Sequence, residues 1–259
     1  LGFLGKIDND GSVAIAKLLR REYLTTQQAR DFMRFAAAQM LRVDAYFQRT
    51  EAVFSPMFQE MAERAVRHDA AFREALIRDF REIGTSPEEV EKLMASLERG
   101  EFKMTASRDF IVTTFLVSLD QAADLFCKME WSFLRIEGTR EVFVTSDNPL
   151  VLEDVGEGAT KPLGIANPDI EITMPLSPTT VAVARWSGET GYGIIAPDSI
   201  AVLNQRTINR ATRHVYASYW SDELLAQVVA SQGRQARTVI QRIESGGSLI
   251  IQHAYQGSR

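Results

Sequence analysis

Cysteine is almost missing: Cys127 is the single one in a chain of 259 residues. An internal disulfide is therefore impossible, and a reducing compartment is the natural setting. Cys127 closes an apolar run containing Phe115, Leu116, Val117, Leu125 and Phe126, so buried, inert packing is expected for its thiol. Histidine is nearly as scarce. His68, His214 and His253 are the full set, none is spaced as a His-Glu-x-x-His pair, and a zinc knuckle would need a second cysteine.

Long hydrophobic runs are lacking too. No stretch reaches the roughly 18 uninterrupted apolar residues of a membrane span, and Leu1-Gly2-Phe3-Leu4 is not the charged-then-apolar start of a signal peptide. A cytoplasmic protein without a membrane partner is the expectation. The first residue is not methionine and an amphipathic segment begins at once, which suggests that further sequence precedes it. Excess positive charge is also absent: the net charge is -5 and the pI about 5.4, so the molecule as a whole repels polyanions. Nucleic acid remains a conceivable partner through a local basic patch, but charge does not favour it. There is no Gly-x-x-x-x-Gly-Lys-Ser/Thr loop, no Gly-x-Gly-x-x-Gly after a strand and no Gly-x-Ser-x-Gly elbow, which removes support from the common nucleotide-binding and serine-hydrolase readings.

What is there is an ordinary globular composition, 45% hydrophobic and 24% charged, sufficient for a substantial core. Through the first half, apolar residues recur every three or four positions. Thr25 to about Phe54 reads as one amphipathic helix capped at Thr25 or Thr26, with Phe32, Phe35, Ala36, Met40, Val43 and Phe47 on its apolar face. Gln39 lies on that face as well, and a buried amide there needs partners. A second helix runs from Ser55-Pro56 toward Phe80. Ser86-Pro87-Glu88-Glu89 has the cap, first-turn proline and reaching glutamate of a third, ending at Gly100. A fourth, Ala106 to Met129, is apolar around much of its girth and is expected at the centre of the core.

From Trp131 the pattern turns to short β-rich segments: Trp131 to Ile136, Glu141 to Thr145, Ile170 to Met174 and Thr180 to Trp186. Residues 156–168 read as a long surface loop. A helix follows from Pro197 to about Arg213, then a short strand at Val215-Tyr216-Ala217, a helix capped by Ser221, and a tail at 248–254 that fits strand or coil. The fold class is α+β: a helical N-terminal region packed with a small, mainly antiparallel sheet and C-terminal helices. No repeat or linker is seen, so one domain is expected, with a helical part at 1–129 and a mixed part at 130–259.

Three constellations could carry chemistry. The run Phe143-Val144-Thr145-Ser146-Asp147-Asn148-Pro149-Leu150 ends a β-type segment in a polar turn, where a rigid scaffold commonly presents reactive groups. Asp147 and Asn148 are the catalytic candidates, with Ser146 beside them. Turn chemistry alone also accounts for every one of these residues. The Pro175-Leu176-Ser177-Pro178 strand exit could form an adjoining wall. Arg206, Arg210 and Arg213, spaced i, i+4, i+7, would project from one helix face and could clamp a phosphate or other anionic partner; a solvated face favoured by the helix dipole is the plainer account. The carboxylates Asp147, Glu153, Asp154, Asp169 and Glu171 could gather at the sheet edge and hold Mg²⁺, which prefers oxygen ligands.

The run Phe143 to Leu150, then Pro175 to Pro178, then Val202-Leu203-Asn204-Gln205-Arg206 continuing to Arg213-His214-Val215-Tyr216, resembles the bacterial proteins grouped as domain of unknown function family 4238. The helical segment from Leu24 to Arg42 is similar to that family's N-terminal region. Members typically open with a His-Tyr-Val-Pro-type motif, which this sequence lacks. The resemblance implies a shared fold and draws attention to Asp147, Asn148, Asn204 and Arg213, without implying an activity. The leading functional reading is a metal-dependent hydrolase of phosphate esters or nucleic acid built on the Asp147 turn; the alternatives are a non-catalytic binding module for an anionic partner and a structural or interaction protein.

Overall fold

The computed structural model describes residues 2–156, 164–219, 221–231, 237–245 and 248–256. It forms two compact units: Leu1–Phe47 with Thr114–Arg259, and Gln48–Thr113. The change from helix to strand near Met129 thus falls inside the larger unit. The protein is α+β, and among the described residues no helix is long and apolar enough to cross a membrane.

The larger unit is organised by a five-stranded sheet in the order β3-β4-β5-β1-β6. Its strands are β1 (Glu130–Arg135), β3 (Val151–Asp154), β4 (Ile170–Ser177), β5 (Thr180–Arg185) and β6 (Gly191–Ile194). All pairs are antiparallel except β1 with β6. Alternation along β4 sets the two faces. Ile170, Ile172 and Met174 point one way, with Ala182, Ala184 and Trp131, into a core shared with α1 (Phe3–Leu19), α2 (Thr26–Leu41) and α6 (Arg108–Phe126). Phe32 of α2 packs edge-on against Trp131 with ring centroids 5.3 Å apart, and the Trp131 indole N–H donates to the Phe126 carbonyl at 2.9 Å. Gly11 of α1 is buried where a Cβ would come within 2.5 Å of Phe35, so the two helices approach closely because that position has no side chain. On the opposite face Val181, Val183, Leu134, Ile136 and Phe143 pack against Ile200 and Leu203 of α7 (Pro197–Arg210). The result is helices, sheet, helix in three layers. Pro175 is accommodated within β4 because β3 stops pairing at Thr173, leaving no ladder partner there for an N–H.

A second, two-stranded sheet pairs β2 (Thr145–Ser146) with β7 (Val215–Tyr216), followed by α8 (Asp222–Ser231) and the antiparallel pair β8 (Arg237–Ser245) and β9 (Ser248–Gln256). The tail is therefore strand. The smaller unit holds most of α3 (Asp44–His68), α4 (Ala70–Glu82), α5 (Pro87–Glu98) and the first turn of α6. Phe54, Phe58 and Phe110 form an aromatic trio, and the Gln59 amide donates to the Phe102 carbonyl while accepting the Met104 N–H.

Several elements differ from the sequence reading. The helix expected from Thr25 to Phe54 is broken: α2 ends at Leu41, and the Tyr46 and Phe47 N–H groups fold back on the Val43 carbonyl to start α3. Conversely, α3 runs through Ser55-Pro56 without stopping. The apolar periodicity continues across Arg42-Val43, so nothing in it marks the break. Among the expected central-helix residues, Phe115, Leu119, Ala122 and Phe126 are buried, but Val112, Leu116 and Val117 face solvent. Cys127, one residue beyond α6, is exposed rather than packed; partial desolvation, then the Asp124 charge, still hold its thiol above the usual pKa. Of the segment 141–145 only Thr145 joins a strand, and β3 and β6 were not anticipated. The expected loop at 156–168 lies partly outside the described residues.

Candidate functional site

Helix α7 begins with Pro197 in its first turn, where the missing N–H is harmless, and buries Ile200, Leu203, Asn204, Thr207 and Ile208. Asn204 is a polar group on a dry face and must be satisfied. Its Oδ1 accepts the Val144 N–H at 3.0 Å and its Nδ2 donates to the Val142 carbonyl at 2.8 Å. The Phe143 N–H between them goes to the Pro178 carbonyl at 2.8 Å. A side-chain amide thus stands where a neighbouring strand would, which explains why this extended segment needs no ladder.

The Thr145-Ser146-Asp147-Asn148-Pro149 turn then closes over the exit of α7. The Asp147 carboxylate accepts two consecutive backbone N–H groups, Thr212 on Oδ1 at 2.9 Å and Arg213 on Oδ2 at 2.7 Å, while its own N–H donates to the His214 carbonyl at 3.2 Å. Asn148 Nδ2 donates to the Arg210 carbonyl at 3.2 Å, satisfying an acceptor at the helix C-terminus. The Ser146 hydroxyl accepts the Asn148 N–H and donates to the Asn148 carbonyl. Ser146, Asn148 and Asn204 are each less than one-tenth exposed. The residues that make the sequence distinctive are therefore bonded to one another's backbones.

The arginine stripe does not form a solvated face. α7 ends at Arg210, and Ala211 leaves it in extended conformation, so Arg213 lies off the helix. Arg206 is paired with Glu171, which is 4% exposed and also accepts Arg185 Nε at 2.6 Å. Arg210 reaches Glu153 at 3.3 Å. Glu153, Glu171 and Arg185 sit side by side on β3, β4 and β5 by strand register, and α7 lays its two arginines across that row. Arg213 pairs with Asp44 at 3.2 Å, both side chains well exposed, at 66% and 60%.

The carboxylates do not gather as the sequence suggested. Glu153 and Glu171 are taken by arginines, Asp154 by the Gly156 N–H and Asn167, and Asp147 by backbone. Among the described residues no three His, Cys, Asp or Glu side chains form a group able to hold a metal ion.

What the turn does line is a cleft of about 390 Å³, wholly within the larger unit. Ser146, Asp147 and Pro149 form one wall and Thr212, Arg213 and His214 another; Gln39 and Arg42 at the end of α2, with Val43 and Asp44 at the start of α3, complete it. Arg42 is held by Asp8 at 2.6 Å and lies over the Phe35 ring. Gln39 is 9% exposed, and its amide has no hydrogen-bond partner among the described residues. His214 is exposed and stacks on Tyr216 with centroids 6.0 Å apart. Asp147, Ser146 and Arg213 thus share one cavity, whereas Asn148, Asn204, Arg206 and Arg210 are not part of its lining and hold the scaffold behind it. Arg42 and Asp44 escaped the sequence reading because they straddle the hidden helix break. An acidic residue just before a new apolar turn, as at Asp44, is the signal that could have revealed them.

A family model described as protein of unknown function (DUF4238) matches residues 2–219, and the chain belongs to that family. No curated protein and no solved structure matches it.

Proposed function

For this member of the DUF4238 family we propose a non-catalytic binding role, in which the cleft beside Asp147 takes a small polar ligand bearing an anionic group. The observation that carries this reading is the state of Arg213. The other two arginines of the stripe are pinned to buried or half-buried carboxylates, but among the described residues the side chain of Arg213 at the cleft has only an exposed pair to Asp44. Exposed pairs are worth about 0–1 kcal/mol, so a phosphate or carboxylate entering the cleft can exchange for Asp44 at little cost. A guanidinium suits either anion through two parallel N–H bonds. The cleft volume lies within the range of small-molecule sites, and a single cysteine suits a cytoplasmic setting.

A metal-dependent phosphoesterase has less in its favour. Both Asp147 oxygens accept backbone N–H groups and the nearby glutamates are neutralised by arginines, which leaves no free carboxylate pair among the described residues of the cleft to hold Mg²⁺. Phosphate esters stay within the proposed ligand class as ligands. The test is calorimetric titration of inorganic phosphate, ribose 5-phosphate and pentanoate into wild type and Arg213→Gln. At least one saturable isotherm is expected, weakened about tenfold or more in the variant, since hydrogen bonds to charged groups contribute roughly 1.5–3 kcal/mol. No binding of any of the three, or equal binding by the variant, overturns the reading.

A further inference from the structure

Three side-chain amides in this chain stand in comparable surroundings, and two of them have the same kind of partner. Asn204 donates to the Val142 carbonyl and accepts the Val144 N–H; Gln59 donates to the Phe102 carbonyl and accepts the Met104 N–H. Each reads a paired acceptor and donor along one edge of a peptide. Gln39 has the same chemistry and, among the described residues, no hydrogen-bond partner. It sits on the buried face of α2, next to Ala36, Ala37 and Ala38, which are fully buried. Its amide atoms are nonetheless not among the solvent-sealed side-chain atoms that lack a hydrogen bond among the described residues, so they keep contact with solvent. The opening it reaches is the cleft it lines.

Among the described residues the Gln39 amide makes no pairing of the kind Asn204 and Gln59 make, and, open only through the cleft, it leaves its donor and acceptor to whatever enters there. Leucine or methionine at this position would continue the apolar face of α2 and offer an entering ligand neither. The depth of Gln39 and the exposure of Arg213 give the cleft two ends of different chemistry: a neutral donor–acceptor pair at the floor and a cation at the rim. Val43 and Pro149 supply apolar surface between the polar groups of the lining.

Resting on the cleft reading above, we infer that Gln39 is a specificity-determining residue and that the ligand joins an amide-type edge, with donor and acceptor side by side, to an anionic group. Two sources offer that chemistry: a nucleoside monophosphate, whose base presents such an edge to a glutamine side chain, and a primary carboxamide carrying a carboxylate. A site built to pair a polar edge rejects an analogue lacking it far more strongly than an apolar pocket rejects a methylene.

The experiment titrates four probes into the full chain: uridine 5′-monophosphate against ribose 5-phosphate, and succinamate against pentanoate. Each pair shares its anion; the second differs at the amide edge and the first by the whole base, where the Gln39 variants separate edge pairing from base burial. Wild type is expected to prefer at least one amide-bearing probe by about tenfold or more, the discrimination of a single well-paired hydrogen-bonding group, and which pair responds identifies the source. Gln39→Leu is expected to abolish that preference and to leave the amide-free probe within about threefold of wild type. Gln39→Glu, which removes the donor at nearly constant shape, should also lose the preference, and it serves if the leucine variant fails to fold. Equal binding within both pairs by wild type, or a loss in Gln39→Leu that falls equally on both members of a pair, overturns the inference while leaving the cleft as a binding site. Failure of all four probes to bind wild type removes the cleft reading and this one with it.

Discussion

Asp147 spends a whole carboxylate on two adjacent N–H groups that would otherwise form a concave anion site at the end of α7. Within this chain the anion is internal, and its task is to fasten the strand carrying Ser146 to the segment carrying Arg213. Asp147→Ala leaves both donors without their acceptor and is expected to destabilise by about 1–3 kcal/mol. Asn204→Ala strands a buried donor and a buried acceptor together, and a loss of roughly 2–5 kcal/mol follows from the same per-group penalty. Urea denaturation reads both, and a wild-type midpoint for either variant would mean that the staple contributes nothing. From sequence, turn chemistry at Ser146, Asp147 and Asn148 was legible as such. The identity of its partners was not, because those of the Asp147 carboxylate lie 65 and 66 residues along the chain and are backbone groups that every sequence supplies.

At the scale of elements, the sheet and α7 are joined by charge as well as by the apolar contacts of Val181 and Val183. Glu171 sits between Arg185 and Arg206, and Arg206 is only 21% exposed. Glu171→Gln leaves that guanidinium buried without a counter-charge, an error that costs about 3–5 kcal/mol when one partner of a buried pair is removed. Arg213→Gln, breaking an exposed pair, should change stability by less than about 1 kcal/mol. Thermal melts of the two variants side by side make the comparison, and similar losses would show that the row is not buried in the sense that matters. Two helix starts were readable: the cap at Thr25, which the structure completes as a box with Gln28, and the capping box at Ser86 with Glu89. The break after Arg42 was hidden because Val43 is apolar and in phase with both helices. The arginine spacing misled for a related reason: a period of four fixes which face residues share but not what lies opposite that face.

For the molecule as a whole, α+β and a mainly antiparallel sheet followed from the switch in hydrophobic period near Met129, whereas the division into two compact units did not, since neither bound, at Gln48 or at Thr113, carries a linker and both fall within helical sequence. Two units of this kind need not melt together. Scanning calorimetry is expected to resolve two transitions, and a ligand of the cleft should raise one of them alone, by roughly 2.7 kcal/mol of added stability at a hundred times its dissociation constant. One symmetric transition, or a ligand shift of both, would show the units to be thermodynamically one.

The aromatic face of α2 has a further consequence during synthesis. Phe32 and its neighbours are complete once residue 41 has been made, yet β4 and β5, against which that face packs, end at Ser177 and Arg185. At typical elongation speeds of 5–20 residues per second, the intervening stretch of about 140 residues takes roughly 7–30 s to appear. Throughout that interval the nascent chain carries an apolar helix whose sheet does not yet exist. The close seat of Phe35 over Gly11 lets α1 cover part of it from the start, so a side chain at position 11 would be felt first on the ribosome, as aggregation of unfinished chains, before it was felt in the finished fold.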